Sequence, residues 1–235
     1  MINLRVGIMQ PYFFPYIGYW QLMNGVDKYV IYDDVNFIRR GWINRNRILM
    51  NGEPMLINLI MSGASSSKLI NEVKVEKDEK HKHKLLKTIE RCYKKAPNYE
   101  DTYHLIEDII SNDEEDLSLY LEYLMKKIAQ YLEIKTEFIL SSHIAKDNSL
   151  KGEDKIIEIC KILNASEYFN AIGGVDLYSR EVFNLNEIKL NFLQTELVEY
   201  NQFGNKFVPN LSIIDVMMFN SKDSVKQMLN CYSLS

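Results

Sequence analysis

The sequence predicts an α/β protein built on a mainly parallel, Rossmann-like sheet that carries a β-hairpin decoration and a helical insertion. Three observations predict it. An apolar run at 4–9, a helical pattern at 16–24 and a second apolar run at 28–32 have the strand–helix–strand spacing of a parallel pair. The runs 136–140, 167–172 and 189–194 repeat the β-rich character, with helical stretches between them. Asn51-Gly52 stands between two apolar runs in NRILMNGEPMLINLIM, which is a strong local hairpin signal.

Taken in order, LRVGIM at 4–9 reads as a short buried strand, and Pro15 suits the opening turn of the helix at 16–24. The strand at 28–32 follows, then the hairpin. SGASSS at 62–67 has small polar residues without periodicity, the composition of a mobile loop or lid. Residues 72–76 read as another strand. From 79 to 133 the chain reads as three helices, with Pro97 at the first break and Asn112-Asp113 capping the third. KGEDKIIEICKIL has a charged first turn and an apolar face at Ile156, Ile157, Ile159, Cys160 and Leu163. The C-terminal stretch, SIIDVMMFN and then KDSVKQMLN, reads as two short helices. The expected organisation is one domain over 1–235 with a helical subdomain, 79–133, inserted as a lid or as the dimer face of a homo-oligomer.

Composition narrows the function classes. The 235 residues are 46% hydrophobic and 26% charged, ordinary globular values that suit neither disorder nor a membrane protein. No apolar run is long enough to span a bilayer, so no membrane insertion is expected. The opening MINLRVGIM lacks the apolar core and cleavage site of a signal peptide, so a cytoplasmic location is expected. A net charge of −4 argues against broad nucleic-acid binding. Cys92, Cys160 and Cys231 lie far apart without a CxxC pair and read as reduced thiols. His81, His83 and His104 lack ligand-spaced partners, so no metal site is expected.

In open α/β sheets ligands bind beyond the carboxyl ends of strands, so chemistry is sought in the loops after 4–9, 28–32 and 167–172. The first supplies Gln10, Tyr12, Tyr16, Gly18 and Tyr19. The second sets Asp33 and Asp34 beside Arg39, Arg40, Arg45 and Arg47, with Trp42 and Asn44 between. Guanidinium forks bind phosphate or carboxylate bidentately and tryptophan stacks on planar groups, so an anionic small molecule such as a nucleotide sugar fits best. The third supplies Gly173 and Gly174, which let a ligand approach backbone amides, and Asn170, Asp176 and Tyr178, which suit a sugar or ribose. His143, in a loop with Ser141, Ser142 and Lys146, is the candidate histidine base. The three segments are expected to meet at one anion-accepting mouth.

FFPYIGYWQL resembles the signature of the HIGH-type nucleotidyltransferases, in which His-x-Gly-His at a helix start holds nucleotide phosphates. Here Tyr16 and Tyr19 stand around Gly18 where that signature has histidines, and neutral tyrosine supplies no imidazolium charge. This likeness implies a HUP-like version of the sheet. The closer resemblance is to the WbqC-like family, through MQPYFFPYIGYWQL at 9–22, the block from Tyr32 to Ile48, and NAIGGVDLY at 170–178, all in the same order. That resemblance implies a place in surface-polysaccharide, O-antigen biosynthesis.

Two function classes follow. One is a transferase that acylates or aminoacylates the amino group of a nucleotide-linked sugar. It would use a CoA-, carrier-protein- or adenylate-type donor, with Asp34 or His143 taking the amine's proton. The other is a non-catalytic nucleotide-sugar-binding or scaffold protein; a retained nucleotidyltransferase is the third alternative.

Overall fold

The computed structural model describes residues 3–204 and 206–235. Strand β1 (Arg5–Met9) leads through the aromatic turn into helix α1 (Ile17–Gly25), and β2 (Lys28–Ile31) returns beside β1 in parallel register. No side chain caps α1, and no charged residue complements either of its ends. Burial holds it instead: Tyr19, Trp20, Leu22 and Met23 are sealed in the core. Trp20 Nε1 donates to the Pro15 carbonyl at 3.0 Å, and the buried Gln21 amide donates to the carbonyls of Met228 and Cys231, each at 2.9 Å.

Strands β3 (Arg45–Met50) and β4 (Glu53–Asn58) form the expected antiparallel hairpin. Asn51 and Gly52 take φ of +53° and +81°, the left-handed pair that a two-residue hairpin turn needs. A two-residue pair, β5 (Met61–Ser62) and β6 (Lys74–Val75), follows. The strand expected at 72–76 is thus cut short. Glu72 ends a 3₁₀ turn that starts at Ile70, and its carboxylate accepts from the Leu69 N–H at 2.8 Å, which turns the chain before extended pairing begins.

Helices α2 (Glu79–Tyr93), α3 (Tyr99–Ile110) and α4 (Leu117–Tyr131) come next. The cap of α4 is Asp116, which accepts from the N–H groups of Ser118 and Leu119, not Asn112-Asp113. Those two have other partners: Asn112 turns the loop by accepting from Glu114 N, and Asp113 pairs with Lys82 at 2.8 Å. Strand β7 (Glu137–Leu140), helix α5 (Gly152–Ile162), β8 (Glu167–Ala171), α6 (Arg180–Leu185) and β9 (Lys189–Thr195) then alternate. The chain closes with α7 (Ile213–Phe219), α8 (Lys222–Met228) and β10 (Tyr232–Leu234). Helix α6 falls in the helical stretch expected between 167–172 and 189–194, whereas β10 was not legible in the sequence.

Among the described residues, six strands form one sheet in the order β10-β9-β8-β1-β2-β7, all parallel except β10. Numbered by their order along the chain and read from β7, the six run 3-2-1-4-5-6, the doubly wound arrangement. Its switch point lies between β1 and β8. One face packs Val6, Ile8 and Val30 against Ile156, Ile159, Cys160 and Phe183 of α5 and α6. The other face shares one continuous core with α1, the hairpin, α2 to α4, α7 and α8. Each fully buried leucine or isoleucine in these layers contributes about 1.5–3 kcal/mol, so the helical block is held by the same apolar burial as the sheet. No helix among the described residues is long and apolar enough to cross a membrane.

Candidate functional site

The turn after β1 explains its own aromatics. Pro11, Phe13, Phe14 and Pro15 are buried, whereas Tyr12 and Tyr16 stand half-buried on its outer side. Phe14 takes a left-handed φ of +43°, and the turn's carbonyls are met by distant side chains. Asn46 Nδ2 donates to Phe13 O at 3.0 Å and to Phe14 O at 2.8 Å, and Ser212 Oγ donates to Phe14 O at 2.8 Å. The Phe13 N–H donates to the Trp42 carbonyl at 3.1 Å, which docks the arginine-rich loop on the turn. Phenylalanine thus anchors the turn and tyrosine is left to line a site.

That site is a cavity of about 310 Å³ lined by Tyr12, Pro15, Tyr16, Trp42, Asn46, Arg47 and Asn210. Tyr12 stacks on Tyr19 with ring centroids 4.7 Å apart. The Arg47 guanidinium lies over the Trp42 ring at 5.3 Å and has no carboxylate partner among the described residues. Its Nε is buried without a hydrogen bond. A half-buried cation lacking an anion is costly, and a guanidinium fork has the geometry to pair with phosphate or carboxylate. Burial pushes the Tyr16 hydroxyl's pKa up, and a hydrogen bond with Thr195 opposes this. Burial likewise pushes Tyr19 well up. Gly18 is needed for packing: a Cβ there would stand 2.4 Å from Thr195 Oγ1 and 2.5 Å from the Tyr16 ring.

A second cavity, about 650 Å³, is lined by Phe37, Arg39, Arg40, Asn44, Arg45, Leu56, Asn58, Met61, Gly63 and Ala64. The two adjoin across the hairpin. Arg45 and Arg47 are two residues apart on β3 and share a face, and Leu56, which lines the second cavity, is paired in register with Arg47. Arg39 and Arg40 are exposed, but Arg45 is engaged: Nε donates to Gly41 O at 2.9 Å and its terminal nitrogen to Arg40 O. Asn44 donates to Leu59 O at 3.0 Å. These two side chains shape the loop.

The acidic pair lies elsewhere. Asp33, fully buried, accepts from Ser142 N at 2.9 Å and Ser142 Oγ at 2.7 Å. Asp34 is clamped between Lys146 at 2.8 Å and Lys155 at 3.1 Å, and Lys155 also donates to Asp34 O at 3.2 Å. Burial pushes the Asp34 carboxyl's pKa up, but Lys146, Ser141 and Lys155 outweigh it and hold it below the usual carboxylate range. His143 is exposed at the end of the 3₁₀ turn after β7. Neither Asp34 nor His143 lines either cavity.

The glycine loop after β8 is split in the same way. Asn170 is buried and donates to the Tyr168 hydroxyl at 2.7 Å, and its amide lies 3.0 Å from where a Cβ on Gly174 would stand. Tyr178 packs edge-on against Tyr168 with the ring centroids 5.6 Å apart, on the face that carries α5 and α6. Gly173 and Asp176 are exposed, with open space beside Gly173. Gln10 stands half-buried directly after β1, at the switch point. The expected single mouth is therefore divided: Tyr12, Tyr16, Trp42 and Arg47 converge on one cavity, Arg39, Arg40, Asn44 and Arg45 on its neighbour. The acidic pair and the glycine loop line neither.

Two polar residues that line the smaller cavity, Asn46 and Asn210, were not among the site residues read from the sequence. Asn46 sat within the NRNR block as one more polar residue, and Asn210, with φ of +57°, arrives from the long segment between β9 and α7 without any local signal. Sequence reading also missed Asp215, a fully buried carboxylate that accepts from Tyr93 at 2.7 Å, Tyr200 at 2.8 Å and Gln202 at 2.7 Å. Burial raises the Asp215 pKa against those hydrogen bonds.

No solved structure matches the chain. An uncharacterized protein of Mycobacterium tuberculosis (strain ATCC 25618 / H37Rv) is 25% identical over 220 residues, covering 92% of this chain and 93% of that one. The WbqC-like protein family matches residues 10–227, a span that takes in the aromatic turn, both arginine-lined cavities and the Asp215 network. The chain belongs to the WbqC-like protein family.

Proposed function

We propose that this chain is a transferase of surface-polysaccharide, O-antigen biosynthesis that acylates or aminoacylates the amino group of a nucleotide-linked sugar. The observation that carries the reading is Arg47: a half-buried guanidinium without a carboxylate partner among the described residues, stacked over Trp42 at the wall of a cavity of about 310 Å³. A phosphate of the substrate supplies the missing anion, and an aromatic base lies against Trp42 or Tyr12. Asn46 and Asn210 offer amides to ribose or sugar hydroxyls. The exposed Arg39 and Arg40 draw the second anionic portion of the ligand into the adjoining cavity.

In the reaction the amino nitrogen attacks the donor's acyl carbonyl, and the thioester or acyl-phosphate bond breaks. The thiol or nucleotide leaves, and the amine's proton passes to a base. Asp34, held charged by two ammonium groups, is a weak proton acceptor and orders the loops after β2 and β7. That leaves His143 as the base. The test is mass spectrometry of the purified chain with an amino-sugar nucleotide and acyl or aminoacyl donors. A mass gain on the acceptor, lost in His143→Ala, supports the transferase.

One observation favours a second reading, a non-catalytic nucleotide-sugar-binding protein: neither Asp34 nor His143 lines a cavity. Binding that depends on Arg47, with no mass gain from any donor class, decides for it.

A further inference from the structure

The helix α2 carries a charge pattern that the cavities do not use. At 100° per residue, Lys80, His83, Lys84, Lys87, Arg91 and Lys94 fall within roughly a 100° sector of its solvent side. All six are exposed. The opposite side buries Leu85, Ile89 and Tyr93. Acidic residues lie only at the borders of the sector, where Glu90 pairs with Lys94 and Glu79 with Lys82. Lys80, Lys84, Lys87 and Arg91 have no carboxylate partner among the described residues. They form a straight row about 16 Å long at the helical rise of 1.5 Å per residue.

We propose that this row is a docking surface for an anionic phospholipid bilayer, which the chain meets peripherally and electrostatically, without insertion. Charge complementarity selects the occupant. A net charge of −4 repels polyanions from the molecule as a whole, so the partner must touch this face and avoid the rest. A plane does that: the row lies flat on it, and acidic surface more than a Debye length away, about 8–10 Å, is screened. A nucleic acid strand would call for stacking rings or hydrogen-bonding side chains among the cations. The sector has no Phe, Tyr or Trp, its one ring is the His83 imidazole near the sector's edge, and neighbouring Thr88 is engaged with Lys84 O at 2.8 Å. A second copy of the chain would need an apolar centre to its interface, and the sector has no apolar residue.

The helix is also rigidly coupled to the cavities. Its His81 Nε2 is 2.8 Å from the carbonyl of Asn58, a residue lining the second cavity, and its Tyr93 hydroxyl accepts from Leu49 N on β3 at 2.8 Å. Docking through α2 therefore fixes the hairpin's orientation relative to the surface. This inference stands whether or not the transferase reading does.

The experiment is cosedimentation of the full chain with vesicles of phosphatidylcholine alone, and of phosphatidylcholine with about one third phosphatidylglycerol. Each cation near an anionic leaflet contributes roughly a factor of five in partitioning. The quadruple change Lys80→Gln, Lys84→Gln, Lys87→Gln, Arg91→Gln is therefore expected to lower partitioning onto the anionic vesicles at least about a hundredfold. Replacing the three lysines by arginine retains it, and so does Lys135→Gln with Lys151→Gln and Lys161→Gln, which removes three exposed cations elsewhere. Equal partitioning onto both vesicle types overturns the proposal. So does an unchanged quadruple variant, or displacement from the vesicles by a single-stranded RNA at equal phosphate concentration.

Discussion

Arg47 on β3 and Trp42 on the loop before it face each other at the wall of the smaller cavity, guanidinium carbon to ring centroid 5.3 Å, and a backbone hydrogen bond from Phe13 N–H to the Trp42 carbonyl docks that loop on the aromatic turn. A charge-assisted hydrogen bond to phosphate is worth about 1.5–3 kcal/mol, so Arg47→Ala is expected to weaken nucleotide-sugar binding roughly ten- to hundredfold. Trp42→Ala is expected to cost about two- to fivefold. Titration calorimetry reads both, and a neutral sugar should show neither effect. An Arg47→Ala variant with full affinity would remove the site from this cavity.

Asp34 gives a prediction about stability. Replacing it by asparagine leaves Lys146 and Lys155 buried without their anion, and breaking such a buried pair costs about 3–5 kcal/mol. Its folded pKa is depressed, so its contribution is present above the unfolded carboxylate value, about pH 3.9, and is lost as pH falls through the lower folded value. Urea unfolding at several pH values should show the wild type losing this advantage in acid while Asp34→Asn has none to lose.

Asp215 has the opposite sign. Its folded pKa is raised, so its contribution is fully present below the unfolded value and is lost as pH rises through the folded one. Asp215→Asn should therefore flatten that part of the stability profile. Tyr93→Phe removes the hydroxyl that donates to Asp215 and accepts from Leu49 N, leaving both buried groups short of a partner at a cost of about 1–3 kcal/mol.

Gly18→Ala tests the packing of the aromatic turn. Its Cβ would meet Thr195 and the Tyr16 ring at 2.4 and 2.5 Å, so Tyr16 must leave its place at the cavity wall. Overpacking of this kind costs about 1–3 kcal/mol. The expected outcome is a lower Tm together with weaker ligand binding, and a Tm equal to wild type would show that the ring moves freely.

The parts of the fold legible in the sequence are those fixed by local rules. Asn51-Gly52 announces its turn because few other residues tolerate two consecutive left-handed conformations. The runs at 4–9 and 189–194 announce strands because both faces of a parallel sheet are buried. Asp116 was missed as a cap because Asn112 and Asp113 carry the same chemistry a few residues earlier. Only the pairing of Asp113 with Lys82, across the helical block, separates them. Strand β10 was illegible because Tyr232–Leu234 is too short for any periodicity and exists through its partner β9.

The site was legible in composition and not in placement. The block from Arg39 to Arg47 contains the cations of both cavities, but spacing along a loop cannot say that Arg45 turns back on the Gly41 and Arg40 carbonyls while Arg47 has no carboxylate partner among the described residues. Asp34 and Lys155 lie 121 residues apart, and the bond between them follows from the packing of α5 on the sheet face that carries Val30 of β2. Gly174 resembles a phosphate-approaching glycine, and in the fold it makes room for the amide of Asn170.

Asn210 and Ser212 reach the aromatic turn from near the end of the chain, so the binding wall exists only once the last helices have docked on the first. A ligand that uses this wall is expected to bind the assembled chain and not a partly assembled one. Saturating it should therefore raise the melting temperature by mass action, and a chain shortened before residue 210 should lose that response along with the wall.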